Sequence, residues 1–560
     1  MLRSLNTNVF SANSMMNIPT DTNLHSLAHA AALLLRSGRM QEAESVYRKI
    51  LELDSENREA LVITAQLLKS QGKESEAGTY ERRFLALGPT QSDVHIRMGR
   101  FLHVLGKYAE AESAYRKAME LGCNSVELYR SMGDVFLDNG DAAEALNHYQ
   151  KALKLQPGSA PTHALMAEAY RLLNRLDDAL LHARKAIAID PSLQFSKETV
   201  ASTLLAQGNY ESGWLLKESR FDSANAVQLD QMGIAQLVES FSTKPRWRGE
   251  DLKGQTLLVW SEQGAGDNFM MMRYLPLLKQ KGAGAVIVYC EASLVKIMLA
   301  MTSLVVDKQL ALSKDTFDLQ CSTMSLPYLF GTRTESIPAS VPYLNLPPAA
   351  SRKWAEQLKK FPGLKVGIVW AGNKTMTRDR LRSVSLESLA PLMVVPGVQF
   401  VSLQKDEATH ELAAHGGRIL DWMEACDDWS DTAALIASLD LVIGVDTAIV
   451  HLAGALGKPV WLLNRFESEW RWLIDRDDSP WYPTMRIFRQ PEIHDWASAI
   501  ERVAAELGKL APTPAVETIS GAEWDKAAQS ARRSLGIGSG DKENAAQSSG
   551  KWSLSKLWRR

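Results

Sequence analysis

The chain has 560 residues, 45% of them apolar and 23% charged, with a net charge of −2; this is too much sequence for one core and suits several globular domains. So balanced a charge excludes the overall basic field of a nucleic-acid or anionic-lipid binder. Four scattered cysteines, Cys123, Cys290, Cys321 and Cys426, without CxxC or Cys/His ligand spacing, exclude a disulfide framework and a structural zinc and suit a reducing compartment.

Residues 1–22 lack the apolar core of a secretory signal and are expected to be disordered. No later stretch reaches the ~18 apolar residues of a membrane span, so a cytoplasmic protein without stable membrane insertion or nucleic-acid partner is expected. From 23 to 235 the chain repeats itself. Gly38, Gly72, Gly106, Gly140, Asn174 and Gly208 stand 34 residues apart, the period of tetratricopeptide (TPR) repeats. Five residues after each comes a small side chain, Ala43, Ala77, Ala111, Ala145, Ala179 and then Gly213, where paired helices must approach closely. Tyr47, Tyr115 and Tyr149 follow one helical turn later, and Pro89, Pro157 and Pro191 end second helices. The pattern predicts an α-helical TPR solenoid of about six repeats. Glu81 takes the aromatic's place in one repeat, and Gly213–Trp214 marks the last as a cap. Such a solenoid offers a concave face to a protein partner; spacing or self-association into a homo-oligomer is the alternative.

After about 240 the register stops. TLLVW (256–260), AVIVY (285–289), KVGIVW (365–370), VQFVSLQ (398–404), DLVIGV (440–445) and PVWLL (459–463) alternate with helical stretches, the pattern of parallel sheets covered on both faces. Two Rossmann-like α/β domains are predicted, at 240–350 and 360–510, with VPYLNLPPAASRKW as the hinge between them. Residues 511–560 read as a flexible tail. Its final KWSLSKLWRR is either a docking peptide or a disordered end.

Three segments could carry chemistry. Glu262-Gln263-Gly264-Ala265-Gly266-Asp267 follows the first strand and opens a helix. Gly264 and Gly266 let the backbone approach a ligand, and Asp267 is either a helix cap or a base facing the cleft. DLVIGVDTAIVHLAGALGKPVW places Asp446, Thr447, Ala448 and His451 at a strand end and helix start, where free amides suit phosphate; His451 taken alone reads as a core histidine. WAGNKTMTRDRLRSVSL offers Asn373, Arg378, Arg380, Arg382 and Ser383, and guanidinium forks suit phosphate. A fourth segment, NRFESEWRWLIDRDDSPWYP, is dense in aromatics and is either a stacking loop or interdomain packing.

Taken in order, GNYESGW, PRWRGEDLKGQTLLVWSEQGAGD, FDLQCSTMSLPYLFG, VGIVWAGN, DRLRSVSL, GVDTAIVHLAGALGKPVW and DSPWYPTMRIFRQ resemble glycosyltransferase family 9, heptosyltransferase-like enzymes of the GT-B fold, over about 200–505. The resemblance implies a two-Rossmann GT-B module, Asp267 as catalytic base, and donor-phosphate binding by Asp446, Thr447, His451, Leu452 and Ala453. Ala265 and Asn268 depart from the family's usual residues. The repeat array is similar to that of TPR–GT-B enzymes that modify flagellin with a nonulosonic, pseudaminic-type acid. The expected activity is therefore metal-independent transfer from a nucleotide-sugar, with no cofactor, to Ser/Thr of a protein held by the repeats. A non-catalytic adaptor and a lipopolysaccharide or glycolipid transferase are the other readings. A fragment from about 235 onward is expected to keep donor binding.

Overall fold

The computed structural model describes residues 24–537 except 89, 223–234, 375, 377, 406, 416–418, 468 and 512–520. The expectations for residues 1–22, Pro89 and KWSLSKLWRR lie outside the described residues.

The register produces helix pairs from α1 (Leu24–Arg36) and α2 (Met40–Leu53) to α11 (Gln194–Ala206) and α12 (Tyr210–Lys217). Every turn residue of the register has positive φ, from +54° at Asn174 to +83° at Gly140. That is the left-handed conformation that ends one helix and releases the next. Ala43, Ala77, Ala111, Ala145 and Ala179 are fully buried. In Gly213's case a Cβ would come within 2.6 Å of Leu205 Cγ, so the terminal repeat needs an even smaller residue there.

The chain forms two compact units, dividing between Lys107 and Tyr108. The first is helical, with a core of Leu27, Ala43, Tyr47, Ile50, Leu61, Leu67, Phe84 and Phe101. Glu81 is tolerated there because its carboxylate meets Lys69 at 2.5 Å on a half-exposed face.

The second unit holds the later repeats and two parallel sheets. Strands β1 (Thr256–Trp260), β2 (Ala285–Cys290), β3 (Val305–Asp307) and β4 (Leu319–Ser322) lie in the order β3-β2-β1-β4. Strands β5 (Leu364–Val369), β6 (Val398–Ser402), β7 (Ile419–Asp421), β8 (Leu441–Val445), β9 (Val460–Asn464) and β10 (Met485–Arg489) lie in the order β10-β9-β8-β5-β6-β7. The second order is that of a complete doubly wound fold, and together the sheets are consistent with a GT-B-like module.

Three of the expected divisions of the chain meet packing in the structure. The separation near 235 is not where the structure divides: Leu205, Tyr210 and Trp214 belong to the same buried cluster as Val259, Phe269, Trp470 and Trp481. Trp214 stacks edge-on against Trp470, and the Trp481 indole donates to Tyr210 Oη at 3.0 Å. The tail from 511 is not featureless, because Gly521–Ser534 is a helix. Trp524 donates to Gln399 Oε1 at 2.7 Å and Arg532 to the Asp421 carbonyl at 3.1 Å, so indole and guanidinium supply the docking that composition hides. The proline-containing segment expected as the hinge is packed: the Tyr343 and Leu344 amides donate to the Ala455 carbonyl, and Trp354 is fully buried.

Candidate functional site

In each sheet the strand order reverses beside the first strand, between β1 and β4 and between β5 and β8. Crevices for ligands open at the carboxyl ends of such strands. Residues after β1 form the helix Ala265–Met271, and residues after β8 form Ala448–Ala455. The starts of these helices touch. A Cβ on Gly266 would fall 2.9 Å from His451 Cδ2 and 3.3 Å from Ala448 Cα. Gly266 therefore serves the approach of one helix to the other. Gly264 is the extended N-cap residue, and its carbonyl accepts from Asn268 Nδ2 at 2.9 Å.

Asp267 does not cap its helix. Its carboxylate is ion-paired with Arg471, whose guanidinium also meets Glu469 at 2.5 Å. Burial opposes the charge on Arg471, but Asp267, Glu469 and Asp446 outweigh it and push the guanidinium's pKa up. Arg471 sits in the short 3₁₀ turn Trp470–Trp472, inside the aromatic segment whose role the sequence left open.

At the end of β8, burial raises the Asp446 carboxyl, yet the imidazole of His451 and the charge of Arg471 hold it well below the usual carboxylate range. His451 Nε2 lies 3.6 Å from Asp446 Oδ1, and its Nδ1 is 3.0 Å from Tyr482 Oη. Its ring stacks on Trp472 at 5.1 Å. His451 is thus a buried histidine with a neighbour at each nitrogen. Thr447 is different: its hydroxyl oxygen is buried and has no hydrogen-bond partner, although the residue stands at the N-cap of Ala448–Ala455. An orphaned buried hydroxyl costs on the order of 1–3 kcal/mol and invites a ligand.

The arginine segment splits. Arg382 donates to Asp379 at 2.8 Å and to the Asp446 carbonyl at 3.2 Å, and its guanidinium covers Gly372, where a Cβ would sit 2.5 Å from it. Ser383 accepts from the Gly372 amide and donates to Asp379, both at 2.9 Å. Arg380 is turned away: it donates to the Asp138 carbonyl and lies 4.6 Å from the Tyr108 ring centre. Arg378, with φ +60°, pairs with Glu168 at 2.7 Å. The left-handed Arg378 reverses the chain, which hands two of the three cations to the repeats. Asn373 lies exposed in the preceding turn, its carbonyl accepting from Met376.

Sequence reading missed Asp379 and the fully buried Arg220–Glu262 pair, whose two contacts measure 2.8 and 3.0 Å, and it named Arg471 only as part of the aromatic segment, without a role of its own. Only Glu262, directly after a strand, carried a usable signal. Among the described residues no group of three or more His, Cys, Asp or Glu is placed to hold a metal ion, and no helix is long and apolar enough to cross a membrane.

Residues 30–92, 90–157 and 124–192 match the tetratricopeptide repeat family. Residues 428–489, from just before β8 through β10, match glycosyltransferase family 9 (heptosyltransferase). The chain thus carries segments that match the TPR and family 9 glycosyltransferase models. The family 9 segment contains Asp446, Thr447, His451 and Arg471. The chain is 31% identical to protein FlbA of Caulobacter vibrioides over 347 residues, 57% of this chain and 55% of FlbA; it thus spans about half the length of that relative. Solved structures similar to it include the TPR protein YrrB, described as having an unusual peptide-binding site (21% identity, 35% of this chain and 97% of that one, TM-score 0.23). Another is the type IV pilus biogenesis factor PilW (18% identity, 37% and 100%, TM-score 0.25).

Proposed function

We propose that this TPR–family 9 chain is a glycosyltransferase that moves a sugar from a nucleotide-sugar to a Ser/Thr hydroxyl of a protein bound by its repeats. The observation that carries this reading is the meeting of the two strand-end helices, with Asp267 on one and the unpartnered Thr447 hydroxyl at the start of the other. A base and an anion site then face the same crevice. Asp267 takes the acceptor's proton. The free amides of Ala448–Ala455, the Thr447 hydroxyl and Arg382 hold the donor phosphate. Asp379 and Ser383 hold Arg382 and the Gly372 turn, and His451 fixes the helix start. Arg380 leaves this set. With helix amides and arginine meeting the phosphate, the reaction is metal-independent and needs no cofactor. The protein acceptor favoured by the TPR–GT-B resemblance is flagellin, and the donor sugar a nonulosonic acid.

The test incubates the full chain with labelled UDP-, GDP- and CMP-sugars and flagellin, with and without EDTA. Label transfer is expected in one donor arm, unaffected by EDTA, and reduced at least ~100-fold in Asp267→Asn. Loss with EDTA that Mn²⁺ restores would remove the metal-independent assignment. Absence of both transfer and nucleotide binding would overturn the function.

A further inference from the structure

We propose that Arg471 takes the anionic phosphate of the donor, and that its ion pair with Asp267 is a resting contact exchanged when donor binds. This rests on the glycosyltransferase reading and adds to it the residue that links donor binding to release of the base.

Four observations converge. Arg471 reaches from the turn Trp470–Trp472 to Asp267, 204 residues away in sequence, on the helix that follows β1. It is surrounded by carboxylates: Asp267 and Glu469 in contact and Asp446 close enough to act on its charge. Its side chain is almost buried, with 11% exposure. Asp446 directly precedes Thr447, whose buried hydroxyl has no partner. The guanidinium thus acts on the carboxylate that directly precedes the partnerless hydroxyl and the helix start.

The chemistry then favours an exchange. The Arg471 contact falls on one oxygen of Asp267, and protonating a carboxylate that is paired with a guanidinium breaks up that ion pair. If Asp267 is the base, it takes an acceptor hydroxyl's proton more readily once Arg471 has another anion to meet. A phosphate is the fitting competitor, since the planar fork binds it bidentately and the arginine cannot lose its proton. Glu469 remains as the anchor about which the side chain turns. Attacking oxygen and leaving phosphate flank one sugar carbon, so a side chain held at the base stands one short reach from where the leaving phosphate departs. The competing description is a permanent strut, supported by the packing of Arg471 over the Trp470 ring at 4.3 Å.

Calorimetric titration of the full chain with UDP, GDP and CMP distinguishes them. In the nucleotide that wild type binds, Asp267→Asn should tighten binding about tenfold by releasing Arg471, and Arg471→Gln should weaken it about tenfold or more. The double variant should show no tightening over Arg471→Gln, because the gain passes through that guanidinium. Arg471→Lys, which keeps the charge but not the fork, serves if the glutamine variant fails to fold; it should also weaken binding and abolish the gain. Tightening that persists without Arg471, or no tightening in Asp267→Asn, overturns the exchange while leaving the transferase reading intact. If wild type binds none of the three nucleotides, the transferase reading itself falls, and the exchange with it.

Discussion

The repeats before Lys107 and those after Tyr108 follow one 34-residue register, yet their turns meet different surroundings. Gly38 and Gly72 have φ of +71° and +74° and nothing within 4 Å of where a Cβ would be. Glycine is there for its backbone alone. Gly140 has φ +83°, and a Cβ would also strike His494 Nε2 at 2.7 Å and Leu381 Cδ2 at 2.8 Å. Asn174 donates its side-chain amide to the Phe466 carbonyl at 2.9 Å. The same turn chemistry thus closes helix pairs in one region and, in the other, also forms an edge docked on the α/β domains. A repeat register reports how helices pair; it does not report which edge another domain covers.

The largest expected effect tests where the chain divides. A fragment 235–560 should be insoluble or unfolded, because it strips Leu205, Tyr210 and Trp214 from the shared core and leaves Glu262 without Arg220. A fragment 108–560 should melt cooperatively and keep nucleotide affinity. Size-exclusion chromatography and thermal melts of the pair decide it, and a folded, nucleotide-binding 235–560 would show that the later repeats are not part of the enzyme body.

Next in size is an arginine comparison. Arg220→Ala leaves a fully buried carboxylate unpaired and should cost about 3–5 kcal/mol in denaturant unfolding. Arg48 is itself about a third exposed and pairs with the exposed Glu76 and the mostly buried Glu44; Glu44 keeps its bond from Gln71 Nε2 at 2.6 Å, so replacing Arg48 by alanine should cost at most ~1 kcal/mol. Equal costs would mean the two regions are held alike.

Turn substitutions should separate the regions more finely. Gly38→Ala pays only left-handed strain, about 1–2 kcal/mol, whereas Gly140→Ala adds overpacking of about 1–3 kcal/mol against Leu381 and His494. Matching unfolding midpoints for the two would refute the docked edge.

A further effect is a pH dependence confined to the later repeats. Burial first, then the charges of His163 and Lys185, lower the His182 pKa from 6.5 to about 4, and the two histidine Nδ1 atoms lie 3.1 Å apart. A histidine with a depressed folded pKa binds fewer protons folded than unfolded. Its contribution is complete above pH 6.5 and is lost as the pH falls toward about 4. The melting temperature of wild type should therefore drop more steeply over that window than that of His182→Phe; parallel curves would place the titrating group elsewhere.

What the sequence determined by itself was set by local demands. A left-handed turn residue, a small side chain five positions on and a buried tyrosine are requirements of one helix pair, so they repeat visibly and fix the solenoid. Buried parallel strands are continuous apolar runs, so six of the ten strands could be read directly. Asp446 and Thr447 were legible as candidates because polar residues directly after such a strand stand at the sheet's carboxyl end, and Asp267 because it follows the glycine turn that opens the helix after β1. The short β3 and β7, and β4 and β10 with their polar residues, lacked the apolar run and were passed over. Tertiary structure alone decided which cations face the crevice. Arg378, Arg380 and Arg382 are equivalent as a charge run, but the left-handed backbone at Arg378 sends two of them to the repeats and leaves Arg382 beside Asp446. Arg471 meets Asp267, and Arg220 meets Glu262, across 204 and 42 residues. Such pairs arise where separately folded layers come into contact, and buried charges are stable there only when that contact supplies the partner.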